Sequence, residues 1–198
     1  MKTCVLYLHG RGGSAAEIEH YRPLFPGCAA VGLDYRGDTP WDVGEEIREA
    51  VEDLKNRYDS VILIANSIGA YFSMCAGVDK DVRRAYFISP VVDLERVILD
   101  MMSAADVTRE TLREKGVIRT AFGETLSWEQ LQWVRAHPPR WDAPTQILYG
   151  SRDNLVSLET VAAFAQTHGA SLTVMEGGEH WFHTEEQMRF LDAWIREG

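Results

Sequence analysis

The chain has 198 residues, 45% hydrophobic and 25% charged, ordinary values that exclude a disordered or fibrous architecture and suit one compact core. Its 30 acidic against 20 basic side chains leave a formal net charge of −10, which excludes sustained contact with nucleic acid or an anionic membrane surface. No apolar run approaches the roughly 20 residues that cross a bilayer, and the N-terminus has no small-residue cleavage site, so the chain is expected to be a cytoplasmic monomer or homodimer. Cys4, Cys28 and Cys75 are odd in number and scattered, a pattern of free thiols instead of a disulfide framework or metal site. Cys75, in an apolar stretch, is expected to pack as a small hydrophobe.

The first strand signal is residues 5–8, followed by His9-Gly10-Arg11-Gly12-Gly13-Ser14 and a helical pattern through about Leu24. Glycines here let the backbone turn sharply and point N–H groups inward. A phosphate or dinucleotide cradle is the alternative, but neither G-x-G-x-x-G nor G-x-x-x-x-G-K-[ST] is present. A second strand at 29–33 leads to a helix capped by Asp42 and running to about Tyr58, with Ile47, Val51 and Leu54 on its apolar stripe.

The third strand, 61–65, runs into Asn66-Ser67-Ile68-Gly69 and a helix from Ile68 to about Val78. A serine on a tight strand-to-helix turn takes strained backbone angles, and only small residues fit two positions to either side of it, here Ala65 and Gly69. The dipole at the start of the helix favours negative charge near Ser67. Taken alone, Ser67 is equally a helix cap.

A fourth strand at 84–88 precedes residues 91–143, too long for an ordinary connection. This insertion shows helical patterns with no strand between them, N-caps at Thr108 and Ser127, and stops at Gly116 and His137-Pro138-Pro139. It is a candidate lid. Strands at 146–149 and 172–175 complete the set, each followed by a polar loop, Gly150-Ser151-Arg152-Asp153 and Gly177-Gly178-Glu179-His180. Between them Leu158, Val161, Ala162 and Ala165 make an apolar stripe ended by Gly169, and Met188, Leu191 and Ile195 make another in the last helix.

Six nearly continuous apolar strands alternating with helices describe an α/β fold, a mainly parallel sheet covered on both faces in a three-layer αβα sandwich. Such a sheet delivers the loops after its strands to one edge, so Ser67, Asp153 and His180 share a crevice. Ala65-x-Ser67-x-Gly69 resembles the nucleophile elbow of the α/β hydrolases, with alanine for the first glycine, and the order Ser, Asp, His is that family's order.

The resemblance covers nearly the whole chain, residues 1–198 as a single domain with the insertion at 91–143. It implies the strand order 2-1-3-4-5-6, without the two strands that commonly lead the family's sheet. It also implies Ser67 as nucleophile, His180 as general base and Asp153 as its orienting acid. The backbone N–H groups of Arg11 and Ile68 become the oxyanion hole, each such donor worth about 3 kcal/mol of barrier, with His9, Gly10 and Gly12 supporting the loop. His183 and Asp93 are the competing base and acid.

The implied reaction is hydrolysis of a small-molecule acyl ester without metal or organic cofactor. A thioesterase, a C–C or amide hydrolase, or a non-catalytic binding protein of the same fold are the alternatives. Val97, Ile98, Met101, Met102, Trp128, Leu131, Trp133 and Trp181 are candidates for an acyl pocket, against the alternative that the methionines and tryptophans pack on the domain.

Overall fold

The computed structural model describes residues 1–198, which form two compact units, Met1–Val92 with Arg140–Gly198, and Asp93–Pro139. In chain order the strands are β1 (Thr3–Leu8), β2 (Ala29–Leu33), β3 (Ser60–Asn66), β4 (Arg84–Ile88), β5 (Val117–Arg119), β6 (Thr125–Ser127), β7 (Thr145–Gly150) and β8 (Ser171–Met175). The helices are α1 (Ile18–Tyr21), α2 (Pro40–Arg57), α3 (Ile68–Ala76), α4 (Leu94–Ala104), α5 (Arg109–Lys115), α6 (Trp128–Ala136), α7 (Leu158–His168) and α8 (Glu185–Glu197).

The larger unit is built on a six-stranded parallel sheet in the order β2-β1-β3-β4-β7-β8. Because β5 and β6 lie outside it, this is the expected order 2-1-3-4-5-6 of the six sheet strands. The central strands are buried along almost their whole length, whereas β2 and β8 are half-exposed edges. Val5, Tyr7, Ile62, Ile64, Tyr86 and Ile88 share one core cluster with Ile18 and Tyr21 of α1 and Leu191 and Trp194 of α8. The alternate side chains, Leu6, Leu8, Leu63 and Ala65, point to the other face. The register sets Leu8 beside Ala65, Ala65 beside Phe87, Ile88 beside Leu148 and Gly150 beside Met175. All six strands therefore end along one edge.

Three local expectations need correction. The cap of α2 is Thr39, whose Oγ1 accepts from the Asp42 amide at 3.3 Å; Pro40 occupies the first helical position, where its missing N–H costs nothing, and so fixes the start earlier than Asp42. The pattern before Leu24 is not one helix but α1 between two 3-10 turns, the second carrying Pro23. Leu158 is exposed, outside the buried stripe of α7.

In the smaller unit, Thr108 caps α5 and Gly116 ends it, and Ser127 caps α6, which stops at His137 before the two prolines. The expectation of helices without strands fails here, because β5 and β6 form an antiparallel pair with Ile118 opposite Leu126. Each has only three residues, too few for an alternating pattern to register. No helix of the chain is long and apolar enough to cross a membrane.

Candidate active site

Ser67 sits between the last residue of β3 and the first of α3 with φ 52° and ψ −119°, a backbone conformation disfavoured for any residue with a Cβ. Three backbone hydrogen bonds hold it there: its N–H donates to Ile88 O at 2.9 Å, and its carbonyl accepts from Val91 N at 3.0 Å and Ala70 N at 3.2 Å. The requirement for glycine at position 69 is steric, since a Cβ there would lie 2.7 Å from the His9 carbonyl oxygen. The Ser67 side chain makes no capping bond to α3. Its Oγ lies 2.8 Å from His180 Nε2.

His180 Nδ1 is 2.7 Å from Asp153 Oδ2. The other carboxylate oxygen, Oδ1, accepts from the amides of Leu155 at 2.8 Å and Val156 at 3.0 Å. The Asp153 side chain is wholly shielded from solvent, and 18% of the His180 side chain is exposed. A buried carboxylate needs such partners to remain charged. With Asp153 accepting from Nδ1–H, Nε2 is left as the acceptor for the serine proton.

The loops bearing these two residues are stitched together by main-chain contacts. Ser151 N donates to Met175 O at 3.0 Å and Arg152 N to Gly178 O at 2.8 Å, while Ser151 Oγ accepts from Gly177 N at 2.8 Å. Tyr149 braces the Asp153 loop, its hydroxyl donating to Val156 O at 2.7 Å. Burial first, and the nearby Asp153 carboxylate second, hold that phenol above its ordinary pKa, so it remains a donor.

The loop after β1 turns through a Gly13 N to Gly10 O bond of 3.1 Å. Gly10 lies against Ser67, since a Cβ on it would come within 3.1 Å of Ser67 Cβ. His9 is buried, and its Nδ1 donates to Gly10 O at 2.8 Å. Its ring stacks on Tyr35 at 4.1 Å, and the Tyr35 hydroxyl donates to His9 O at 2.8 Å. Tyr35 in turn meets Phe72 of α3 edge-on at 5.6 Å. Sequence reasoning passed over Tyr35; its only signal is an aromatic residue in the loop just past β2, at the strand-end edge. Arg11 lies in the turn, and Ile68 supplies the first amide of α3, which has no earlier helical carbonyl to serve.

Of the competing residues, His183 turns away: its Nδ1 donates to Trp181 O at 2.7 Å and its ring stacks on Trp181 at 4.4 Å. Asp93 caps α4, its Oδ1 accepting from Arg96 N at 2.9 Å. Among the acyl-pocket candidates, Trp181, next to His180 in the chain, is 68% exposed. In the smaller unit Met102 is buried, Met101 and Trp128 are half-buried, and Trp133 stacks on His137 at 4.4 Å. No group of three or more His, Cys, Asp or Glu side chains is placed to hold a metal ion.

A hydroxyl, an imidazole and a shielded carboxylate in one hydrogen-bonded line are equipped for nucleophilic attack with proton transfer. The fold is shared with several solved proteins. A protein from Agrobacterium vitis S4 described as a hydrolase matches with TM-score 0.80 at 17% identity, over 99% of this chain and 87% of that one. Est1E from Butyrivibrio proteoclasticus with ferulic acid bound matches with TM-score 0.74 at 17% identity, over 100% and 87%. The RedJ thioesterase of the prodiginine biosynthetic pathway in Streptomyces coelicolor matches with TM-score 0.61 at 16% identity, over 99% and 85%. No functionally curated protein shows significant sequence similarity to the chain. A family model of the alpha/beta hydrolase family matches residues 5–193, nearly the whole chain, and the protein belongs to that family.

Proposed function

We propose that the protein is a serine hydrolase cleaving a carboxylic ester of a small or medium acyl substrate, with Ser67, His180 and Asp153 as its catalytic triad. The observation that carries this reading is the unbroken line of contacts from Ser67 Oγ through His180 to Asp153, at 2.8 and 2.7 Å. Family membership and solved neighbours that include an esterase and a thioesterase support it.

Ser67 Oγ attacks the carbonyl carbon as its proton passes to His180 Nε2, and the imidazolium so formed is stabilised by Asp153, which stays ionised. The N–H groups of Arg11 and Ile68 receive the oxyanion. His180 then gives its proton to the leaving oxygen, the acyl group remains on Ser67, and water activated by the same imidazole releases the acid. The strained serine is part of the mechanism, because its backbone angles keep Oγ clear of the α3 amides and free for the imidazole.

The test is a panel of p-nitrophenyl esters from acetate to octanoate, with an acyl thioester and an anilide, against wild type and Ser67→Ala, together with labelling by a fluorophosphonate probe. The expected result is ester turnover and labelling that both depend on Ser67, with activity reduced about 10³-fold or more in the variant. Preference for the thioester would move the assignment to a thioesterase. Absence of labelling in folded protein would make it a binding protein.

A further inference from the structure

At the other end of the sheet, where β3 and β4 begin, lies a cavity of about 440 Å³, within the size range of small-molecule sites. Ile62 lies in its wall and precedes Ser67 by five residues on one extended strand, which puts the two about 16 Å apart at roughly 3.3 Å per residue. The cavity is therefore separate from the candidate active site.

Its walls combine two chemistries. Leu24, Phe25 and Ile195 supply apolar surface, and Arg83, Arg84 and Arg196 put three basic residues around one concavity of a chain whose net charge is −10. Of the acidic side chains on the surrounding elements, Asp81 pairs with Lys55, Glu19 with Arg22 and Asp192 with His20, while Glu197, beside Arg196 on α8, forms no ion pair. Arg84 is also committed, donating to the Tyr86 hydroxyl at 3.1 Å and to the backbone oxygen of Gly198. Arg83 and Arg196 are exposed and form no ion pair.

Tyr86 makes the site more than a basic patch. It is 2% exposed and wedged edge-on between Phe25 and Trp194, so its ring is fixed. Its hydroxyl oxygen accepts from Arg84, which leaves the hydroxyl proton directed away from the guanidinium and without a protein acceptor. A buried donor in that position calls for an acceptor oxygen.

We propose that this cavity binds an organic carboxylate with an apolar tail, its head group held by Arg83, Arg196 and the Tyr86 hydroxyl and its tail laid on Leu24, Phe25 and Ile195. A planar carboxylate matches the guanidinium fork. A bare inorganic anion would leave the apolar wall unused, and a neutral lipid would leave the two arginines uncompensated.

The test is isothermal titration of the full chain with octanoate. One saturable site is expected, weakened at least 10-fold in the Arg83→Gln/Arg196→Gln double variant, whose exposed positions leave the core intact, and several-fold in Tyr86→Phe. 1-Octanol should bind at least 10-fold more weakly than octanoate, and inorganic phosphate should not displace it. The proposal is overturned if octanoate does not bind, if the double variant binds it as wild type does, or if octanol or phosphate matches it. None of these outcomes depends on Ser67 chemistry.

Discussion

Gly150, at the end of β7, and Gly178, in the loop after β8, touch backbone to backbone: a Cβ on Gly150 would lie 2.4 Å from both the carbonyl carbon and the carbonyl oxygen of Gly178. Asp153 follows the first glycine by three residues and His180 follows the second by two, so this contact holds together the loops that carry these two side chains. Alanine at 150 has no flexible neighbour to displace and must push the loops apart. The predicted outcome for Gly150→Ala is a loss of about 1–3 kcal/mol of stability from overpacking. Ester turnover should fall about 10²-fold, the order expected for a displacement near 1 Å. Thermal melting and steady-state kinetics check both; wild-type kcat in the variant would remove the proposed role for the contact.

Asp153→Asn separates charge from geometry. Oδ1 is held by the amides of Leu155 and Val156, so an asparagine keeps its oxygen there and turns its NH2 group toward His180 Nδ1. The imidazole must then accept at Nδ1 and carry its proton on Nε2, where it can no longer take one from Ser67. A fall in kcat of about 10⁴-fold is expected, with melting temperature little changed and fluorophosphonate labelling slowed in parallel. Retention of more than a tenth of wild-type kcat would show that Asp153 does not set the tautomer.

Much of the larger unit was legible because its central parallel strands are buried on both faces and so read as continuous apolar runs, as at 5–8 and 61–65. Each run ends in polar or glycine residues, which is why the strand-end edge and the loops of Ser67, Asp153 and His180 could be placed together. What escaped reading depends on contacts between distant residues or on elements too short for periodicity. The β5–β6 pair has three residues a side. The Gly150–Gly178 approach joins two loops that look unremarkable separately, and the Arg83–Arg196 cavity joins β4 to the last helix. Asp42 was a sound cap candidate by type, but Pro40 starts the helix earlier.

Tyr35 couples the loop after β1 to α3, through its stack on His9, its hydrogen bond to His9 O and its edge contact with Phe72. Tyr35→Phe keeps the rings and removes only the hydroxyl. The His9 carbonyl loses its donor and the turn carrying Arg11 loosens, so kcat should fall about 10-fold with KM nearly unchanged, the pattern of an interaction felt in the transition state. Burial raises the Tyr35 hydroxyl above the ordinary phenol range, with Glu17 adding to the effect, so the wild-type bond persists through alkaline pH. The ratio of wild-type to variant kcat should stay constant between pH 7 and 10; a ratio that collapses toward one by pH 10 would contradict this.

Cys75 lies on α3, the helix that follows Ser67, and burial pushes its thiol from 9.0 up to about 12, a hydrogen bond with Tyr71 opposing the shift. Only the thiolate is alkylated. At pH 8 the thiolate fraction is about 10⁻⁴ in the folded chain against about 10⁻¹ when unfolded, so iodoacetamide should modify Cys75 about 10³-fold more slowly in native protein than in denaturant. The same shift carries a stability consequence of definite sign. Above pH 9 the unfolded chain releases this proton while the folded chain keeps it until about pH 12, so the contribution of Cys75 is complete below pH 9 and is lost as pH rises through that window. Cys75→Ala should therefore show a shallower decline in melting temperature between pH 9 and 11 than wild type. Peptide mapping after timed alkylation identifies the residue, and equal labelling rates in native and denatured protein would show that the thiol is not protected by burial.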